Sequence, residues 1–341
     1  MDWRKGYTAR YYLSFVDINT WRDTGLLNIT GGTIKHELSG LRSSADIDCV
    51  NYRRDREELV RVWLNSDQEG FEEDSHTPLF TGYAVSPDRR INGNYETETL
   101  QCYSVLLPAS DIYLPRGWYA PADMDAIILI KQLLSPTKAI IVVHISENNQ
   151  NDMVLTRSVI AESGETNLSM VEKLLSIMNW RMWLDGYGRI HIAEYDTDYK
   201  ETFDSITNDI IEPELTIAHD WFDCPNVVRV IMDTQSAEAY DKDSNTPMSI
   251  ANRGREVWYE EENVDLNIGE TLQEYAERRL KELQRVAETI NYDRRFFPDI
   301  YPSDIVRLNY PAQDLKGNYM VASQSITLGF SAKTSEEVIK I

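Results

Sequence analysis

Large apolar residues alternate with smaller or polar ones from Tyr7 to Phe15. Tyr7, Ala9, Tyr11, Leu13 and Phe15 fall on one side, and Thr8, Arg10, Tyr12 and Ser14 on the other. A period of two is the period of a half-buried strand. The rhythm returns at Ala45, Ile47 and Cys49, at residues 59–64, at 79–85 and along 95–106. Asp46, Asp48, Glu96 and Glu98 take the polar beat of these strands, so all four are expected on a wet outer face. Turn chemistry separates the runs: 28–32 with its Gly31-Gly32 break, the acidic loop 67–76, and Asn92-Gly93-Asn94. Gly82 inside a strand signals a bulge or a close backbone approach. Residues 1–110 therefore read as an antiparallel β unit, a barrel or a sandwich.

The pattern changes at 108–121, where Pro108, Pro115, Pro121 and Gly117 mark a boundary. Tyr113, Trp118 and Tyr119 lie in it, either packed within a linker or making a subunit contact. Asp123 is expected to cap a helix through Leu134, with Ile127, Ile130, Leu133 and Leu134 apolar. Residues 139–145 form an apolar β run containing His144, and 148–152 a polar loop. Asn167 or Ser169 is expected to cap a second helix that buries Val171, Leu174, Leu175 and Met178. Asp185-Gly186-Tyr187-Gly188 then joins two strand-like runs, 180–184 and 189–193. Asp-Gly there is a hairpin signal, because both residues tolerate the positive φ of a tight turn. The irregular acidic stretch 195–209 holds the second boundary, which makes 111–205 an α+β insertion.

Residues 206–341 carry strand-like runs at 227–231, 256–259, 304–308 and 319–328, with 236–253 as a polar loop. The helical period is clearest at 271–290, where Leu272, Ala276, Leu280, Leu283, Ala287 and Ile290 make one apolar stripe. Thr271 and Glu274 have capping-box spacing. The expectation is this helix laid on a small antiparallel sheet. No residue-level repeat links 1–110 with 206–341. The fold class is β-rich α+β: two antiparallel barrel- or sandwich-like units, the second with a packed helix, separated by the insertion.

Composition adds limits. A chain of 341 residues with 42% hydrophobic and 10% aromatic content supports two or three packed cores. Its net charge of -22 argues against binding nucleic-acid backbones or anionic membranes, since like charges repel. Cys49, Cys102 and Cys224 have neither metal nor redox spacing and read as reduced, small hydrophobes. The N-terminus lacks an apolar signal segment, and the longest apolar run, 126–130, is too short to span a bilayer. A soluble protein made in the cytoplasm is expected.

Candidate chemistry is sparse. His36, His76, His144, His191 and His219 form no metal-binding pair, and His191 is expected on a solvent face. His219, Asp220, Asp223 and Cys224 cluster in sequence, but no fourth ligand stands nearby. Asp241-Lys242-Asp243-Ser244-Asn245 starts like a calcium loop, yet Thr246 replaces its glycine and Asn252 its final glutamate. Phosphate-binding and nucleophile-elbow motifs are missing. No catalytic, cofactor or metal residue is assigned. Paired carboxylates of a cell-wall glycan hydrolase stay open as an alternative, as does a carbohydrate-binding β module using exposed aromatics.

The order Cys224-Pro225-Asn226-Val227-Val228-Arg229-Val230, capped helix, Pro302-Ser303-Asp304-Ile305-Val306-Arg307-Leu308 and a last Gln/Ser/Ile/Thr strand resembles the C-terminal half of phage tail baseplate hub proteins. The helix followed by Asn179-Trp180-Arg181-Met182-Trp183-Leu184-Asp185-Gly186-Tyr187-Gly188-Arg189-Ile190-His191-Ile192 is similar to their middle domain. The strand order of residues 1–110, with its Val62-Trp63-Leu64 and Phe80-Thr81-Gly82 runs, looks like their first tube-forming domain. The resemblance implies related β folds at both ends of the chain. It further implies a homotrimer forming a pseudo-hexameric ring between the tail tube or distal tail protein and a central spike or fibre. A tape measure protein is a further implied partner, and DNA would pass without specific binding. The place of action would be the virion tail tip, with no cofactor and no enzymatic activity. Asp46, Asp48, Glu96 and Glu98 would then be candidates for the channel wall.

Overall fold

The computed structural model describes residues 3, 5–68, 76–92, 95–145, 153–195, 198–232, 234–285, 288–313, 315–329 and 332–341. The loops expected at 67–76 and 148–152 and the turn at 92–94 fall largely outside these residues.

The alternating N-terminal runs become β1 (Thr8–Val16), β2 (Asp23–Glu37), β3 (Ser43–Cys49), β4 (Glu58–Asp67), β5 (His76–Asn92) and β6 (Tyr95–Ser104). They pair antiparallel in the order β1-β4-β5-β6-β3-β2, and β1 also pairs with β2, which closes a six-stranded barrel. Leu13, Ile34, Ile47, Val60, Val62, Leu64 and Leu100, the apolar beats of the strands, fill it. The expected break at Gly31-Gly32 is instead the interior of β2, with an irregular register between Ile29 and Gly31. Glycine is required there, because Gly32 has φ +144 and a Cβ would sit 2.4 Å from the Asp46 carbonyl oxygen. Gly82 is the expected close approach, with its Cβ position 2.2 Å from the Tyr103 carbonyl oxygen.

The next segment holds α1 (Leu107–Ser110), β7 (Tyr119–Ala120), α2 (Ala126–Leu134), β8 (Ile141–His144), β9 (Val159–Ile160), α3 (Asn167–Met178), β10 (Trp180–Leu184) and β11 (Ile190–Glu194). Strands β10-β11-β8 form a small sheet, and Ile130, Leu134, Val171, Leu174, Met182, Ile190 and Ile192 share one core. Two expected caps move. Asp125, not Asp123, caps α2, accepting from the backbone N–H groups of Ile127 and Ile128. Thr166 caps α3 in a reciprocal box with Ser169, because Thr166 is the last extended residue and Asn167 is already helical. The hairpin between β10 and β11 is pressed onto the barrel. Arg61, buried, bonds Thr81 Oγ1 at 2.9 Å and the Tyr187 carbonyl at 3.1 Å, while Thr81 donates to the Gly186 carbonyl at 2.8 Å.

The C-terminal part holds β12 (Tyr199–Asp204), β13 (Ile211–His219), β14 (Val227–Met232), β15 (Gln235–Tyr240), α4 (Ile250–Arg253), β16 (Trp258–Glu262), α5 (Leu272–Arg285), β17 (Glu288–Arg294), β18 (Ile305–Tyr310), β19 (Leu315–Thr327) and β20 (Thr334–Lys340). The helix expected over 271–290 stops at Arg285. Ile290, counted in its stripe, lies buried on β17, a strand whose own alternation of Ile290, Tyr292 and Arg294 inward outweighs the helical period. The sheet beneath α5 is β15-β14-β16, packed through Val228, Val230, Ala239, Tyr275, Ala276 and Leu280. The runs at 304–308 and 319–328 do not join it. The expected loop 236–253 contains β15 and α4, and the irregular stretch 195–209 contains β12.

The remaining C-terminal strands pair in the order β12-β18-β19-β20-β17-β13. Numbered along the chain this is 1-4-5-6-3-2, the order of the N-terminal barrel. The irregularities match as well: between Ala84 and Ser86 on β5, and between Val321 and Ser323 on β19. Two details differ. β12 runs parallel to β18, and among the described residues β12 does not pair with β13; it meets the following turn through the bridge Asp204–Asn208. The two copies fuse where β2 pairs antiparallel with β19, Ile34 opposite Ile326. A duplication invisible in residue identities is therefore plain in topology.

Under this junction the core is polar. Arg294 pairs with Glu336, which also accepts from Tyr292 Oη at 2.7 Å and Gln324 Nε2 at 2.5 Å. Burial pushes the Glu336 carboxyl up, but Arg294 and these donors outweigh it and hold it below its ordinary value. A second tie joins Arg181 of β10 to Asp304 at 2.7 Å, with Lys200 at 2.9 Å from the same carboxylate.

Candidate functional site

Strand fusion makes one continuous sheet from β6 through β3, β2, β19, β20 and β17 to β13. Its two faces differ sharply. On one, the rows Ile34-Ala45-Cys102 and His36-Gln324-Glu336-Tyr292 face the interior. On the other, three successive rows are polar, and only the next, Ala218-Thr289-Ile339-Met320, turns apolar. Gln101, Asp46, Thr33 and Thr327 lie side by side, as do Lys35, Ser325, Ser335 and Asp293, and then Glu37, Ser323, Glu337, Asn291 and Thr216. The polar face is concave: Lys35, Glu37, Glu214, Thr216, Asn291 and Glu337 help line an open trough of about 420 Å³.

Asp46 and Asp48 stand on this face, Asp46 exposed and Asp48 accepting from Thr99 Oγ1 at 2.6 Å. Glu98 does not. It points to the core side in line with Leu100 and Cys102, is 3% exposed, and accepts from the backbone N–H groups of Tyr52 and Arg53. The outer-face expectation for Glu96 and Glu98 is thus corrected: along the regular β6 they share the beat of the buried Leu100 and Cys102, which face Ile47 and Ala45, and a loop supplies the donors for Glu98. Glu96 pairs with Arg89 and Arg53, and these partners hold its carboxyl below the ordinary value. Acidic residues missed in the sequence complete the polar face: Glu37, Glu214, Asp293 and Glu337. Their signal was the alternation of 33–37 and 334–340, masked by short runs with few large apolar residues. Lys333 offsets part of the charge, bridging Asp293 at 2.6 Å and Glu212 at 3.2 Å.

The other candidates are placed as follows. His191 is not a free solvent-face residue; it stacks on Trp183 at 5.0 Å and lies 3.1 Å from Asp185 Oδ2 and 3.0 Å from His144 Nε2. Burial, then neighbouring His191, Lys200 and Arg181, lowers the His144 imidazole. Asp220 spends its carboxylate on the N–H groups of Phe222 and Asp223, and Asp243 spends its own on Asn245. Among the described residues no three His, Cys, Asp or Glu side chains gather as a metal site, and no helix is long and apolar enough to cross a membrane. Trp118 packs on the middle core, whereas Tyr113 and Tyr119 stay exposed. What the polar trough offers chemically is hydrogen-bonding groups and negative charge over a broad curved wall.

No protein-family model matches the chain, and no curated protein does. Solved structures do. The tail protein from Neisseria meningitidis MC58 superposes with TM-score 0.73 at 14% identity, over 98% of this chain and 97% of that one. The 43 kDa tail protein of prophage MuSo2 from Shewanella oneidensis gives 0.69 at 12% identity, over 98% of each chain. The E. coli c3393 protein, a type VI secretion component described as similar to T4 bacteriophage tail proteins gp27 and gp5, gives 0.53 at 10% identity, over 92% of this chain and 74% of that one. The likeness spans both six-stranded units and the segment between them, so this chain has the fold of these tail proteins.

Proposed function

We propose that the chain is a structural, non-enzymatic tail hub that trimerises into a pseudo-hexameric ring. The ring would join a tail tube or distal tail protein to a central spike or fibre, at the tail tip of a virion, with a tape measure protein as a further neighbour. The observation that carries this reading is the repeated 1-4-5-6-3-2 strand order. Two copies of one topology in each of three chains present six similar faces to a six-fold tube and three to a three-fold spike. The functional division follows the expected units 1–110, 111–205 and 206–341, with the last boundary moved ahead of β12, which pairs with β18. The concave polar face would line the bore, where its acids repel a passing phosphate backbone.

Light scattering with negative-stain imaging of the same peak tests this. The expected result is a particle of three 39.4 kDa chains with a central hole. A monomer that forms no ring with tube or spike proteins would overturn it.

A further inference from the structure

We infer that the free edge of β13 pairs with the free edge of β5 in a neighbouring copy of this chain, in a register fixed by the internal repeat. The inference rests on the ring reading and names the contact that closes it.

In the chain, the second strand of the first barrel (β2) pairs with the fifth strand of the second (β19). The counterpart junction would join the second strand of the second barrel (β13) to the fifth strand of the first (β5). Both edges are open. Among the described residues β13 pairs only with β17. β5 pairs with β6 as far as Asn92 but with β4 only to Ala84, so among the described residues 86–92 keep one edge unpaired. A long open edge is a template for another strand.

The register follows from the shared rungs. Matching the irregularities sets Ser86 against Ser323 and Cys102 against Val338. The rungs Cys102–Ala45–Ile34 and Val338–Ile290–Ile217 then set Ile34 against Ile217. Because Ile34 faces Ile326, Ile217 must face Arg89 of the neighbour. Leu215 then meets Ile91, Thr216 meets Arg90, Ala218 meets Asp88 and His219 meets Pro87. The side chains agree with this assignment. Ile91 and Ile217, 66% and 42% exposed, come onto one face beside Leu215. On the other face Arg90 lies diagonal to Glu214, within reach of an ion pair. Pro87 has no N–H and adds no donor to the ladder, a feature that discourages pairing with unrelated strands.

The test is a disulfide across one rung. Opposed Cα atoms in an antiparallel pair lie about 4.5–5.5 Å apart, inside disulfide reach. The three native cysteines are buried. A chain carrying Asp88→Cys and Ala218→Cys should oxidise to covalent trimers on a non-reducing gel. It should link several-fold faster than one carrying Arg90→Cys and Ala218→Cys, which is two residues out of register. Arg90→Glu should lower the ring fraction in scattering, and adding Glu214→Arg should restore it. Rings of trimer mass that do not link through residues 88 and 218 would overturn the edge pairing and leave the hub reading standing. A chain that is monomeric by scattering and unlinked would overturn both.

Discussion

His36 is fully buried on β2 beside the ring of Tyr301, at 5.9 Å edge-to-face. Burial lowers its imidazole from 6.5 to about 4. The unfolded chain therefore binds a proton that the folded chain refuses. Stability from the neutral imidazole is present above about pH 6.5 and is lost as pH falls towards 4, by up to about 3 kcal/mol. Urea unfolding across this window should show the loss, and His36→Leu should flatten that part of the profile; an unchanged slope would refute the assignment. The nearby Arg294–Glu336 pair has another character. Removing one partner would strand a buried charge, so the pair is costly to break while adding little net stability. Neither role was legible in the sequence. A histidine or a glutamate on an alternating strand gives no sign of which face another strand will cover.

At the scale of elements, the hairpin 185–189 shows how a local signal was read correctly for an incomplete reason. Asp185-Gly186-Tyr187-Gly188 does make the turn, and Gly188 has φ +77. Gly186 is constrained by packing: a Cβ there would lie 1.9 Å from the Pro78 carbonyl oxygen on β5. Gly186→Ala should cost ~2 kcal/mol in thermal or urea unfolding, whereas Gly6→Ala, with nothing within 4 Å of its Cβ position, should stay near neutral. Equal effects would mean that the hairpin does not press on the barrel. The long helix shows the opposite case. Its stripe persisted through Ala287 and Ile290 on paper, but Ile290 pairs with Val338 and Ile217 as part of β17. Past Ala287 only Ile290 continued the stripe, and a single apolar residue fits a helical or a strand period alike.

At the scale of the whole molecule, the acidic charge becomes a matter of placement. Asp46, Asp48, Glu37 and Glu337 share the concave face, while Glu98 is consumed inside. If that face lines the bore, the native ring should leave duplex DNA unshifted in a gel even at low salt. Asp46→Lys with Asp48→Lys and Glu337→Lys should retain DNA in a salt-dependent way. Retention by the native ring would count against the wall. The β-rich class and most strands of the first barrel were readable from period-two alternation. The strands β12, β13, β15, β17 and β20 were not, because their runs are short, polar on one side or exposed on both.

Residue pattern alone determined the strands with large inward residues, the helices α2 and α3 and the turn at 185–189. Each rests on contacts between near neighbours, which the chain carries with it. Tertiary structure decided the burial of His36 and Glu336, the destination of 304–328 and the repeated strand order. Those depend on which distant strands become partners, and a one-residue difference in register exchanges the two faces of a strand.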